Sequence, residues 1–268
     1  MQGVDEDWGL GPRTWVLKLC KTHASETQNP SPMPETALSL ILPAFDEARR
    51  LPPYLESIRA YLEERFRQPY EVIVVDDGSR DETAAVVERL TSHWPQLRLL
   101  RHARNEGKGS AVRTGVLAAR GEFLLFADAD GATPIEEHAR LAAAIAQGAD
   151  VAIGSRLAAD PAIRRSRHWW RGLAGRLFAL TARRLLGISV LDTQCGFKMF
   201  RAAAGRRLFA AVKETRYLFD LELLVLAQRF GLRVVEVPIH WREVPGGHLH
   251  PLRELPRITV GLWRLRRR

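Results

Sequence analysis

Between residues 37 and 156 the sequence alternates short apolar runs with longer stretches of helical period, and the apolar runs end in polar clusters. Ala37–Leu42 has the composition of a buried strand, and Leu51, Leu55, Ile58, Leu62 and Phe66 then recur at helical spacing. Val72-Ile73-Val74-Val75 is a β-branched strand, and Ser79-Arg80-Asp81-Glu82 reads as a capping box opening a helix through Leu90. Leu97–Leu100 reads as a strand, Lys108–Arg120 as a helix and Glu122–Ala127 as a strand. A second capping box, Thr133-Pro134-Ile135-Glu136, places proline at the first position of a helix to about Gln147, followed by a strand at Asp150–Ile153. Strand–helix alternation with short connections predicts an α/β fold, a mostly parallel sheet covered by helices on both faces. Such sheets bind ligands beyond the carboxyl ends of their strands. Asp76-Asp77, Asp128-Ala129-Asp130 and Ser155-Arg156 all fall at those ends.

Beyond 156 the rhythm changes. Residues 164–186 are basic and aromatic, with Trp169, Trp170, Leu173, Leu177, Phe178 and Leu185 at helical spacing. Cys195–Phe200 reads as extended, helices are expected near 202–212 and 220–230, and Val234–Trp241 alternates like a strand. Leu255, Ile258, Leu262 and Leu265 share one face of the last segment, with Arg257, Arg264 and Arg267 elsewhere. Residues 1–36 show no sustained period and read as a flexible extension. Their acidic start (Asp5, Glu6, Asp7) has no apolar h-region, so no signal peptide is expected.

Composition narrows the function classes. No apolar run approaches the about 18 residues that span a bilayer. Two cysteines, Cys20 and Cys195, exclude a disulfide framework and a cysteine zinc site. The 40 basic residues exceed the 31 acidic ones, for a net charge of +9, which favours an anionic partner: nucleic acid, a phosphorylated substrate or a membrane surface.

Two carboxylates one residue apart at a strand end, Asp128 and Asp130, can both face a crevice, where a divalent cation is their natural partner. Hard oxygen ligands favour Mg2+ or Mn2+ together with substrate phosphates. A solvated turn is the plainer reading. Asp76-Asp77-Gly78-Ser79 fits a turn, or a carboxylate held for a base or ribose. Asn105-Glu106-Gly107-Lys108-Gly109 lets backbone approach an anion at a helix start, without P-loop or dinucleotide spacing.

Taken together, Leu42-Pro43-Ala44-Phe45-Asp46-Glu47, Val75–Ser79, Asn105–Gly109, Asp128-Ala129-Asp130 and Gly154-Ser155-Arg156 occur in an order that resembles the family 2 glycosyltransferases of GT-A fold. Asp192–Phe200, Phe219-Asp220-Leu221-Glu222-Leu223 and Val237-Pro238-Ile239-His240-Trp241 look like the dolichyl-phosphate β-glucosyltransferase branch, near the polyprenyl-phosphate mannose synthases. The resemblance implies a GT-A domain over 37–250, with 164–186 an interfacial helical segment and 251–268 a basic amphipathic helix. It implies that Pro43, Ala44, Glu47, Asp76, Lys108, Gly109, Asp128 and Ala129 line the nucleotide-sugar site, and that Asp128 and Asp130 hold Mg2+ or Mn2+. Arg156, Arg171 and Lys198 would meet the acceptor phosphate, and Asp192 and Asp220 are candidate bases or orienting groups. Two positions depart from the pattern: Ala132 stands where mannose synthases often carry glutamine, and Gly246-Gly247-His248 replaces Gly-Ser-Lys, making His248 a candidate metal or phosphate ligand.

The implied reaction is inverting transfer of glucose from UDP-glucose to a polyprenyl phosphate. The implied location is the cytoplasmic face of a membrane, held peripherally, because Trp and Arg on 164–186 suit an anionic interface. GDP-mannose is the alternative donor. A non-catalytic basic protein binding nucleic acid or membrane is the alternative class, but nucleic acid offers no use for the ordered carboxylates, so it is not the expected partner. An oligomer is compatible with the sequence.

Overall fold

The computed structural model describes residues 36–163, 165–166, 180, 182–245 and 261–265. The extension up to 35, most of 164–186 including Arg171, His248, and Leu255 and Ile258 of the C-terminal stripe lie outside the described residues.

Seven strands form one sheet: β1 (Leu38–Ala44), β2 (Tyr70–Asp76), β3 (Leu97–Arg101), β4 (Phe123–Ala127), β5 (Val151–Ser155), β7 (Phe197–Arg201) and β8 (Val234–Pro238), in the order β3-β2-β1-β4-β7-β5-β8. The pairings β1–β2, β1–β4, β2–β3 and β5–β8 are parallel, whereas β7 runs antiparallel to both β4 and β5. A short parallel pair joins β6 (Arg165–Ser166) to β9 (Trp241–Arg242). The mostly parallel α/β expectation is therefore met, with one reversed strand in the middle. The middles of β1, β2 and β4 are apolar because both faces are covered: Leu40, Ile41, Leu42, Val72–Val75 and Leu124–Phe126 are fully buried.

The helices are α1 (Leu51–Arg65), α2 (Thr83–Thr91), α3 (Lys108–Ala118), α4 (His138–Ala146), α5 (Ala202–Ala211) and α6 (Phe219–Arg229). In α1 the periodic Leu51, Leu55, Ile58 and Leu62 are buried and proline occupies the first turn, where its missing N–H costs nothing.

Both expected capping boxes are corrected. The Ser79 hydroxyl instead accepts the Asp46 N–H (3.0 Å), and Asp81 takes the Thr83 N–H (2.9 Å), so α2 starts at Thr83. At the second box, Pro134 precedes the helical turns, a 3-10 turn over Ile135–Glu137 leads into α4, and no side chain caps it. The expected strand over 234–241 is split into β8 and β9. In the helical residues 261–265, Leu262 and Leu265 are buried against the domain, and a Cβ on Gly261 would fall 2.1 Å from Leu218 Cδ1. That part of the C-terminal apolar stripe faces the protein core.

Candidate active site

The carboxyl ends of β1, β2 and β4 form one rim. Ala44 lies in register with Asp76, and the Asp77 N–H donates to the Ala44 carbonyl (2.8 Å). The neighbouring aspartates do different things. Asp77 accepts the N–H groups of Glu106 (2.9 Å) and Gly107 (2.8 Å) and pairs with His102 Nδ1 (2.8 Å), so it pins the 105–109 loop to the end of β2. Asp76 takes the Ser79 N–H on Oδ1 (3.0 Å), while its buried Oδ2 has no hydrogen-bond partner and lies 3.6 Å from Arg101 Nε. An orphaned buried carboxylate oxygen at this rim is what a ligand donor would satisfy. Gly107 (φ 108°) makes the loop possible, since a Cβ there would meet the Thr215 carbonyl at 2.5 Å. Gly109 is similarly enclosed, 2.7 Å from Phe219 Cβ by the same measure. Pro43 and Ala44 sit at the strand end as expected, while both carboxylate oxygens of Glu47 bond Arg50 and its N–H donates to Thr83 (2.8 Å).

Asp128, Ala129 and Asp130 follow β4 directly. The Asp128 N–H donates to the Gly196 carbonyl (2.9 Å), and Lys108 Nζ, at the start of α3, lies 2.6 Å from Asp128 Oδ1. Lys108 also lies over the Phe126 ring, 5.3 Å from its centroid. Ala129 is buried, and Asp130 accepts the Ala132 N–H (3.0 Å). Burial, then the Asp128 charge, push the Asp130 carboxyl above its ordinary range, against the opposing pull of Arg50 and Lys108. A carboxylate in that position gains from a cation. Among the described residues no third acidic or histidine side chain joins the two aspartates into a ligand cluster. Two hard oxygen donors completed by substrate phosphate are what Mg2+ or Mn2+ accepts, so the residues present fit such an ion.

On the other side of β4 the structure assembles charged pairs. Arg156, just after β5, gives its backbone N–H and Nε to Asp192 Oδ2 (2.8 and 2.7 Å) and Nη2 to Oδ1 (2.8 Å). Although burial opposes it, Arg156 holds the Asp192 carboxyl below the usual range, which makes Asp192 a poor base. Lys198 is fully enclosed, donating to the Cys195 carbonyl (2.6 Å) and Asp220 Oδ1 (2.5 Å), with the Phe126 ring centroid 5.7 Å away. Its amine is thus committed to Asp220 and the Cys195 carbonyl and is closed to solvent. Asp220 stands in the first turn of α6, its carboxyl pushed up by burial and held back by Lys198 and Lys108.

Several residues here were not singled out from the sequence. Arg50, just before α1, and Tyr54, in its first turn, both act electrostatically with Asp130. Tyr217 bonds Gln194 and feels the charges of Arg156, Asp220 and Lys108. Glu236 and Trp241 stand behind Arg156. Of these, Trp241 ends the Val237–Trp241 stretch already quoted, Glu236 adjoins it and Tyr217 lies close to Phe219–Leu223, whereas Arg50 and Tyr54 had no such cue.

Residues 39–209 match the family described as Glycosyl transferase family 2. The chain is a family 2 glycosyltransferase. The enzyme is 37% identical over 284 residues to the dolichyl-phosphate beta-glucosyltransferase of Drosophila melanogaster, covering 97% of this chain and 85% of that one. The human protein of the same name is 35% identical over 230 residues, covering 81% and 71%. Among solved structures, glucosyl-3-phosphoglycerate synthase from Mycobacterium tuberculosis, in complex with Mn2+, UDP-glucose and phosphoglyceric acid, superposes with TM-score 0.63 at 21% identity over 86% of this chain and 80% of that one. Mannosyl-3-phosphoglycerate synthase from Rubrobacter xylanophilus gives 0.60 at 22% identity over 86% and 73%. These likenesses establish the glycosyltransferase as a GT-A fold.

Proposed function

We propose that this glycosyltransferase moves glucose from UDP-glucose to a polyprenyl phosphate of the dolichyl type, with inversion. The observation that carries the reading is the end of β4, where Lys108 meets Asp128 with Asp130 two residues on. The names of the relatives support the acceptor and the sugar. Asp76, with its open buried oxygen, and the β1 end around Pro43 and Ala44 would receive the nucleoside. Asp128 and Asp130 would hold Mg2+ or Mn2+, which when bound neutralises charge developing on the leaving diphosphate. Lys108, beside Asp128, adds positive charge on the same side.

The acceptor oxygen attacks the anomeric carbon as the bond to the diphosphate breaks, and UDP departs. A phosphate monoester has a second pKa near about 6 and is largely dianionic at neutral pH, so no proton need be removed. Positioning then outweighs base catalysis, and Arg156 supplies it by a planar fork suited to phosphate. Arg171 and His248, outside the described residues, remain proposed phosphate and metal contacts on the resemblance alone. The enzyme would work at the cytoplasmic face of a membrane as a peripheral protein. Among the described residues no helix is long and apolar enough to cross a bilayer.

The test is transfer from radiolabelled UDP-glucose and GDP-mannose to polyprenyl phosphate, with Mg2+, Mn2+ or chelator. Glucolipid formed from UDP-glucose, lost with chelator and in Asp130→Ala, is the expected result. Mannolipid from GDP-mannose alone overturns the donor, and transfer only to soluble acceptors overturns the lipid.

A further inference from the structure

We propose that Glu236 and Asp192 are positioning residues that fix the direction in which Arg156 presents its guanidinium to the acceptor phosphate. The proposal rests on Arg156 being the phosphate grip.

The fork begins at Arg156 itself. Nε and Nη2 are spent on the two oxygens of Asp192, which fixes the guanidinium plane and turns the Nη1 edge away from Asp192. Trp241 lies beneath it, with the guanidinium carbon 5.6 Å from the ring centroid. The side chain is 20% exposed, against 4% for Asp192, so the pair is closed on the aspartate side and open on the arginine side. The Asp128 charge also acts on Arg156.

Asp192 sits on a loop, and a loop by itself aims a carboxylate loosely. Glu236 corrects this. Its two carboxylate oxygens accept the consecutive backbone N–H groups of Leu191 and Asp192, each at 2.8 Å. One carboxylate closing on two successive amides fixes that peptide in both position and tilt. Glu236 lies within β8, paired in register with Ile153 on β5, the strand that leads to Arg156. Three residues after β8 comes Trp241, and the next N–H, of Arg242, donates to the Ala132 carbonyl (2.9 Å) in the loop that follows Asp130. The edge strand β8 and the β9 segment that follows it therefore supply the carboxylate that sets Asp192, the ring under Arg156, and a tie to the loop after Asp130.

The experiment uses the full chain, UDP-glucose and polyprenyl phosphate in vesicles, with acceptor and donor varied separately and UDP affinity measured by calorimetry. Arg156→Ala, Glu236→Gln, Asp192→Asn and the Arg156→Ala/Glu236→Gln pair are compared, with Arg156→Lys used if the alanine variant does not fold. Glu236→Gln is expected to raise the acceptor KM about 10-fold while the donor KM and UDP affinity stay within about 2-fold. Asp192→Asn should do the same, and Glu236→Gln should add nothing once Arg156 is gone, because its effect passes through that side chain. If Arg156→Ala raises the acceptor KM but Glu236→Gln does not, or adds its full effect in the Arg156→Ala background, the positioning role is wrong and the phosphate grip stands. If neither Arg156 variant moves the acceptor KM, the phosphate grip falls and the positioning role with it.

Discussion

A single carbon added to Gly196 would fall 2.0 Å from Oδ2 of Asp128. No real contact is that short, so either the carboxylate or the turn before β7 must move. Gly196→Ala is therefore expected to keep the fold but lose about 100-fold in kcat, because an ångström of displacement at a charged centre has that effect. Normal kcat with an unchanged far-ultraviolet spectrum would show that the Asp128 position does not matter. Glu137, buried beside the loop after Asp130, is pushed up to about 7 by burial, against Arg140. Its folded-state value lies above that of the unfolded chain, so the folded protein holds an extra proton between the two. The stability this contributes is full below the unfolded value and is lost as pH rises through about 7. Glu137→Gln mimics the protonated form. It should gain about 1–3 kcal/mol over the parent between about pH 5 and about pH 8, read as the difference in melting temperature at the two pH values. A difference that does not change with pH would contradict the shift. At this scale the sequence was informative about groups whose spacing is local: Asp128, Asp130 and Asp76 could be placed at strand ends from their neighbours alone. Arg156 and Asp192 are 36 residues apart and Lys198 and Asp220 are 22 apart, and nothing in either neighbourhood announces its partner.

The reversed strand β7 decides where several of these groups stand. Its register puts Lys198 opposite Phe126 on one side and Ile153 on the other, in the middle of the sheet. An ammonium there is tolerated only because Asp220, on the first turn of α6, meets it. Lys198→Met should destabilise the protein by about 3–5 kcal/mol by stranding Asp220, whereas Lys198→Met with Asp220→Leu should recover most of that loss. Chemical denaturation of the three variants checks it, and an additive double variant would show that the two groups are not a pair. The alternation of strands and helices was legible because hydrophobic period is written locally. The direction of β7 was not, because an extended apolar run reads the same either way and its connections decide how it enters the sheet. The capping boxes misled for a related reason. Ser79 and Glu82 have the right spacing, but the Asp46 N–H, arriving from the end of β1, took the serine hydroxyl.

For the molecule as a whole, the positive excess of nine charges accords with work at an anionic surface. If the enzyme is peripheral, it should float with vesicles containing anionic lipid, stay behind with neutral ones, and be released in about 1 M salt, where charges are screened within about 3 Å. Equal flotation with both lipids, unaffected by salt, would replace the electrostatic account with one of hydrophobic insertion. The strand order has a further consequence, for synthesis. The neighbours of β5 are β7 and β8, and both leave the ribosome after it, whereas β1, β2, β3 and β4 can zip together as soon as they emerge. A nascent chain that has emerged only as far as β5 would thus carry a four-stranded half beside an orphan strand with two naked edges, a natural client for a chaperone until the last third of the polypeptide arrives.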